Sequence, residues 1–272
     1  VKVATAAEGG EALLALPEAA ALDEADLERR FGGLRRLHGD AAYARLRAAR
    51  LAVVGVGGVG SWAAEALARC GVAGLTLIDL DHVAESNVNR QVQALGSTLG
   101  MAKVQALRAR IADIHPGCEV TCVEDFVEPG NWPALLPAAV DGLIDCCDQS
   151  KAKLALASWA LRQKLPFVAV GAAGGKLQPQ RVEVDDLART THDPLLAGLR
   201  QRLRKANDAP RQGDIGLRCV FSRESVSVPP GDTACSMDGS LNCHGYGSSV
   251  TVTATFGMVA AAEAVRLVLA RR

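Results

Sequence analysis

Aromatic residues are scarce in this sequence: Phe, Trp and Tyr together make up 4% of its 272 residues. An interior of stacked rings is excluded, so Val, Leu, Ile and Ala must fill the core, as in sheets covered by helices. Net charge is missing too, since 30 Lys+Arg balance 30 Asp+Glu. With no global positive field, any contact with nucleic acid must come from a local basic surface. The eight cysteines contain no C-x-x-C pair, which argues against a zinc knuckle. The opening residues VKVATAAEGGEALLAL lack an apolar stretch followed by a cleavage site, so no secretory signal is expected. Reduced thiols and a cytoplasmic location follow as expectations. The most apolar stretch, Val250 to Ala270, is interrupted by Glu263 and Arg266. It reads as a buried core helix, and membrane association is not expected. What remains is 49% hydrophobic and 22% charged, the composition of a globular chain long enough for a substantial core.

Residues 1–29 are rich in Ala and Glu and read as a poorly ordered lead, with a helix near Asp23 to Arg30 that Phe31-Gly32-Gly33 breaks. Residues 30–272 read as a single domain, with a nucleotide-binding half at about 50–171 and a substrate half at about 172–272. From Leu51 the pattern becomes regular. Strands are expected at Leu51 to Val56, Leu75 to Asp79, Glu119 to Val123, Gly142 to Cys146 and Phe167 to Val170. Helices are expected at Ser61 to Cys70, Ala102 to Ile114, Trp132 to Ala139 and Lys151 to Lys164. Such alternation predicts an α/β, Rossmann-like, mostly parallel sheet flanked by helices. Beyond Gly171 the rhythm changes. Arg181-Val-Glu-Val and Leu217-Arg-Cys-Val-Phe predict an antiparallel extension, with a basic helix Leu195 to Lys205 between them.

Gly55, Gly57, Gly58 and Gly60 follow a strand and open a helix, where backbone N–H groups and the helix dipole can hold phosphate. Asp79 ends the next strand, 19 residues after Gly60. Those features alone also fit a nicotinamide oxidoreductase or a non-catalytic nucleotide binder. The material downstream separates the readings. A triphosphate that loses pyrophosphate needs cations on the leaving group, which Arg90 and Lys103 can supply. Asp148, just past a strand end, is placed to hold Mg²⁺ against phosphates. The plainer alternative makes Arg90 and Lys103 solvated charges and Asp148 a helix cap.

GVGGVGSWAAEALAR, IDLDHVAESNVNRQ, GMAK and DCCD resemble the ThiF/MoeB superfamily of ATP-dependent, ubiquitin-activating-type adenylating enzymes. The resemblance implies activation of a carboxylate as an acyl-adenylate by a homodimer, with an arginine supplied across the interface. It further implies Asp79 and Asp81 near the ribose, Asn87, Arg90 and Lys103 around the phosphates, and Asp148 on Mg²⁺. RFGGLRRLHG from Arg30, VGAAGG from Val170, Asp193-Pro-Leu, LRCVFS from Leu217 and NCHGYG from Asn242 resemble one branch, the tRNA threonylcarbamoyladenosine dehydratases. That branch implies ATP-dependent cyclisation of threonylcarbamoyladenosine at position 37 of tRNA. The family's R-x-x-R-Q arginine has no clear counterpart, because Gly33 falls there, so Arg30 and Arg36 are both candidates for the role across the dimer.

Cys243 lies in a polar, Gly-rich stretch beside His244 and is the candidate for a covalent acyl carrier; a structural or sulfur-relay role, or an inert thiol, is the alternative. Cys219, Cys146 and Cys147 read as core. A cysteine desulfurase or sulfur acceptor is a further conceivable partner, and no residue identifies a monovalent-cation site. Arg200, Arg202, Arg204 and Lys205 place four cations on one helix, enough to meet tRNA phosphates or merely to face solvent. His192 and Asp193 precede that helix and are read as caps. The competing enzymatic reading is adenylation of the C-terminus of a sulfur-carrier or ubiquitin-like protein.

Overall fold

The computed structural model describes residues 24–226 and 246–271. Helices α1 (Glu24–His38) and α2 (Asp40–Ala48) lead into a seven-stranded sheet of order β3-β2-β1-β4-β5-β7-β6. Its strands are β1 (Arg50–Val54), β2 (Gly74–Ile78), β3 (Glu119–Val123), β4 (Gly142–Asp145), β5 (Phe167–Val170), β6 (Val182–Asp186) and β7 (Arg218–Ser222). All neighbours pair in parallel except β6 with β7. The sheet is covered by α3 (Gly60–Arg69), α4 (Lys103–Ile114) and α7 (Val250–Ala270) on one face, and by α5 (Ser150–Gln163) and α6 (Pro194–Lys205) on the other.

Alternation within the strands creates both cores. Leu51 and Val53 of β1 pack with Ala63, Leu67, Leu107 and Phe256, while Ala52 and Val54 point to Leu156, Leu196 and Leu199. Because the inner strands β1, β2, β4 and β5 are covered on both faces, they read as largely apolar runs. Helix α7 packs along α3 and over β4 and β5. At Gly257 a Cβ would stand 2.5 Å from the Val59 carbonyl oxygen, so only glycine permits α7 to approach α3 this closely. Its Glu263 is buried but paired with Arg218 and Arg266, both at 2.7 Å. Among the described residues α7 is the one helix long and apolar enough to cross a membrane; half of its apolar window is covered by the rest of the fold.

Two expectations are corrected, and one element is added. The Gly32-Gly33 pair does not end the first helix: α1 begins at Glu24, where a helix was expected, but runs on to His38. Phe31 is buried against the His115 ring, with centroids 4.7 Å apart, and beneath the Arg47 guanidinium. That burial offsets the roughly 1 kcal/mol that each helical glycine costs. Helix α2 was not anticipated. Conversely, Trp132 to Ala139 forms turns rather than a helix, since Pro133 and Pro137 lack the N–H groups a helix needs.

Candidate nucleotide site

The chain builds outward from β1 through β2 to β3, then crosses back to place β4 on the other side of β1. Such a reversal leaves a crevice beyond the carboxyl ends of β1 and β4, the usual ligand position in open α/β sheets. A cavity of about 850 Å³ lies there, and it is lined by Gly55, Gly57, Gly58, Asp79, Asp81, Asn87, Arg90, Lys103 and Asp148. Residues spread over almost a hundred positions thus converge on one space.

The glycine loop explains the close approach. Gly55 has φ +80°, and a Cβ there would press to 3.1 Å from the Cys146 and Cys147 backbone. At Gly60 a Cβ would fall on the Gly55 carbonyl oxygen, so this glycine lets α3 begin against the loop; it does not itself line the cavity. Gly58 lies under the Arg90 stem, 3.2 Å from a hypothetical Cβ to Cδ.

Asp79 anchors the loop. Its two carboxylate oxygens accept N–H groups from Val56 at 2.8 Å and Asp81 at 2.9 Å. Burial lifts its carboxyl above the ordinary aspartate value, against the pull of Lys103 and those two donors. Each oxygen keeps a lone pair for a ligand hydroxyl. Lys103 opens α4 and is buried; its Nζ lies 2.7 Å from Asp81 Oδ2, which fixes the ammonium at the cavity wall. Asn87 is also buried, and its Oδ1 accepts the Ala84 N–H at 3.0 Å to hold the 3-10 turn before Arg90. The Arg90 guanidinium donates to the Ser86 carbonyl at 2.8 Å and to Asn89 Oδ1 at 3.1 Å. Partial burial lowers its pKa from the usual arginine value.

Asp148 lines the cavity and makes no hydrogen bond to the described residues. It does not cap α5, whose N-cap residue is Gln149 without a side-chain bond. A free carboxylate in the same cavity as the Arg90 and Lys103 cations suits Mg²⁺, which takes one or two protein carboxylates and fills its remaining positions with phosphate and water. Among the described residues no group of three or more His, Cys, Asp or Glu converges, so the chain offers no closed metal cage of its own.

Several supporting residues escaped the reading of the sequence. Lys153 and Asp145 form a wholly buried pair at 2.8 Å beneath the cavity, and Lys153 Nζ also donates to the Val170 carbonyl at 3.1 Å. The pair ties the carboxyl ends of β4 and β5 together. Asp193 caps α6 through the Leu196 N–H at 3.0 Å, as expected, but its second bond was not foreseen: it accepts the Ala172 N–H at 2.8 Å and pins the Gly171–Gly174 wall to that helix. Gln93 is buried and donates to the Val56 carbonyl at 2.9 Å, and its Oε1 has no partner among the described residues. A lysine three residues into a helix, or a glutamine in a loop, carries no spacing signal that separates burial from solvation.

Not every candidate reaches the cavity. Arg30 donates to the Asp113 and Ile114 carbonyls at 3.1 and 2.7 Å, at the C-terminus of α4 and thus at the opposite edge of the sheet. Arg36 is exposed on α1. Arg200 turns inward to the Leu187 and Thr190 carbonyls, leaving Arg202, Arg204 and Lys205 rather than four cations along α6. His192 does not cap the helix. Burial raises the thiol pKa of every described cysteine, Cys118 to about 11, so none is a ready thiolate. Cys235 and Cys243 lie outside the described residues; Tyr246, three positions after Cys243, lines the cavity.

Residues 29–272 match the ThiF family. The chain is 42% identical over 253 residues to the tRNA threonylcarbamoyladenosine dehydratase of Escherichia coli strain K12, an alignment that covers 89% of this chain and 94% of that protein. It is 38% identical over 249 residues to the Haemophilus influenzae protein of the same name, covering 90% and 95% respectively. The crystal structure of the E. coli enzyme in complex with ATP superimposes with a TM-score of 0.82 at 40% identity, covering 93% of this chain and 98% of that one.

Proposed function

The chain belongs to the ThiF family, and from that premise we propose that it uses ATP to cyclise N6-threonylcarbamoyladenosine at position 37 of tRNA with loss of water. The observation that carries this reading is the convergence of Arg90, Lys103 and Asp148 on one cavity, in a chain similar to the E. coli dehydratase over 89% of its length.

A carboxylate is a poor electrophile with a poor leaving group. The threonyl carboxylate oxygen therefore attacks the α-phosphorus of ATP, the bond to the β-phosphate oxygen breaks, and pyrophosphate leaves. Arg90 and Lys103 stabilise charge that develops on the departing phosphates; their positions are set in advance by Ser86, Asn89 and Asp81. Mg²⁺, when held at Asp148, neutralises phosphate charge. Backbone N–H groups of the glycine loop and the start of α3 receive the remaining phosphates, and Asp79 accepts a ribose hydroxyl. A nucleophile within the same threonylcarbamoyl group then attacks the activated carbonyl and AMP leaves with the former carboxylate oxygen. That second step is intramolecular, so proximity supplies much of its rate. Cys243 serves either as a transient acyl carrier or not at all, and Cys243→Ala separates the two: adenylation with loss of cyclisation is the mark of a thioester, and full activity the mark of direct closure.

In a homodimer the arginine supplied across the interface is Arg36 rather than Arg30, because Arg30 is committed to the α4 carbonyls. The test of function is incubation with ATP, Mg²⁺ and tRNA bearing threonylcarbamoyladenosine, followed by digestion and mass spectrometry of the nucleoside. The expected result is an ATP-dependent loss of one water, about 18 Da. An unchanged nucleoside, with pyrophosphate exchange that requires a carrier protein, would move the activity to sulfur-carrier adenylation.

A further inference from the structure

A second cavity of about 390 Å³ adjoins the nucleotide cavity, and Pro194 and Val226 face both. Its other walls include Thr191, His192, Ala197 and Arg200. His192 is held there with φ +59°, a left-handed conformation that is uncommon outside glycine. Two contacts fix it. Its carbonyl accepts from the buried Lys176 ammonium at 3.4 Å, and its ring Nδ1 lies 3.0 Å from the Thr191 hydroxyl, itself 2.8 Å from Arg223. The imidazole is thereby presented, exposed, to the cavity. Arg200 spends one terminal nitrogen on the Leu187 and Thr190 carbonyls and on the Thr190 hydroxyl; its Nε and second terminal nitrogen make no hydrogen bond to the described residues.

We propose that this cavity receives the adenine base of the RNA substrate, with the base stacked on the His192 ring and its substituent passing between Pro194 and Val226 into the nucleotide cavity. The inference rests on the proposed function and deepens it. The geometry is set by the substituent. From N6 to the carboxylate, a threonylcarbamoyl group spans roughly 6 Å, so a carboxylate at the α-phosphate of ATP requires its base in an adjoining space. A flat ring, small Ala197 and Pro194 surfaces and a guanidinium edge are what a base needs for stacking and for hydrogen bonds at its rim. Charge continues the path. From this cavity α6 leads away for about 18 Å, and its last turn carries Arg202, Arg204 and Lys205 where flanking phosphates would run.

The test is steady-state turnover of an anticodon stem-loop bearing threonylcarbamoyladenosine. His192→Asn removes the ring but keeps a residue that tolerates the left-handed backbone. Its KM for RNA is expected to rise roughly tenfold, the usual size of a lost stack, with kcat and the KM for ATP unchanged. A His192→Asn enzyme with the wild-type KM for RNA would overturn the proposal, as would a parallel rise in the KM for ATP, which would mark a disturbed loop. If the wild-type protein converts no modified RNA, the proposed function itself falls, and this subsite with it.

Discussion

Replacement of Lys153 by methionine is expected to lower the stability of this protein far more than loss of any surface ion pair. Lys153 and Asp145 are both fully buried, and Lys153 Nζ lies 2.8 Å from Asp145 Oδ2. Burial opposes the lysine's charge, but the Asp145 carboxylate and its hydrogen bond outweigh that and hold its pKa above the ordinary value. A raised folded pKa contributes stability that is complete below the unfolded lysine value and is lost only in strong alkali, so near neutral pH the pair is at full strength. Methionine leaves an uncompensated carboxylate in the core, at a cost of about 3–5 kcal/mol. The Cys147 N–H and thiol still donate to Asp145 Oδ1 at 3.1 and 2.9 Å, which favours the lower end of that range. At 2–4 °C per kcal/mol for a chain of this size, the melting temperature should fall by roughly 6–12 °C. Urea denaturation followed by tryptophan fluorescence reads this directly, since Trp132 and Trp159 meet edge to face in the same core, 5.3 Å apart. The double variant Lys153→Met, Asp145→Asn should be more stable than the sum of its singles predicts, because neither charge is then left alone. A Lys153→Met cost below about 1 kcal/mol, or strict additivity in the double variant, would refute the account of this pair.

Lys103→Ala and Asp148→Ala should each abolish ATP-dependent turnover without unfolding the chain, since the proposed role of each is to act on phosphate charge; circular dichroism and the nucleoside mass assay check the two halves, and full activity removes the residue from the site. Gly60→Ala places a methyl on the Gly55 carbonyl oxygen and 3.2 Å from Cys146 Cβ, so the loop must shift and equilibrium ATP binding should weaken by at least tenfold. His115 gives a pH signature: burial and the nearby Arg47 and Arg30 cations lower its imidazole pKa to about 4. The unfolded chain then binds the proton first, so stability should decline as pH falls from about 6.5 towards 4, by roughly 2 kcal/mol once solvent screening of the two arginines is allowed for. His115→Gln should flatten that slope in denaturation series run between these pH values.

What was legible in the sequence is what repeats or has a fixed spacing. The βαβ alternation placed β1 to β5 within a residue or two, and the glycine loop, Asp79, Arg90 and Lys103 stood at distances that a strand, turn and helix must respect. The antiparallel pair β6 and β7 was legible because the short segments Arg181-Val-Glu-Val and Leu217-Arg-Cys-Val-Phe break the helix-strand rhythm that precedes them. The illegible part is tertiary. Helix α1 continues through Gly32-Gly33 because Phe31 meets His115, 84 positions away, and local propensity cannot register such a contact. The same holds for charge. Arg200, Arg202, Arg204 and Lys205 look equivalent along the chain, yet Arg200 lies where α6 passes the Leu187–Thr190 turn and is drawn inward by its carbonyls. Lys153 is the extreme case, since only the ends of β4 and β5 lying side by side turn an ordinary helical lysine into the buried tie beneath the cavity. A residue's chemistry is written in its type, but whether that chemistry faces solvent, substrate or another strand is decided by which segments the sheet order brings together. Asp145 and Asp148 make the point within a single turn: three positions apart, one is wholly buried against Lys153 and the other stands at the cavity with its carboxylate available to a metal ion.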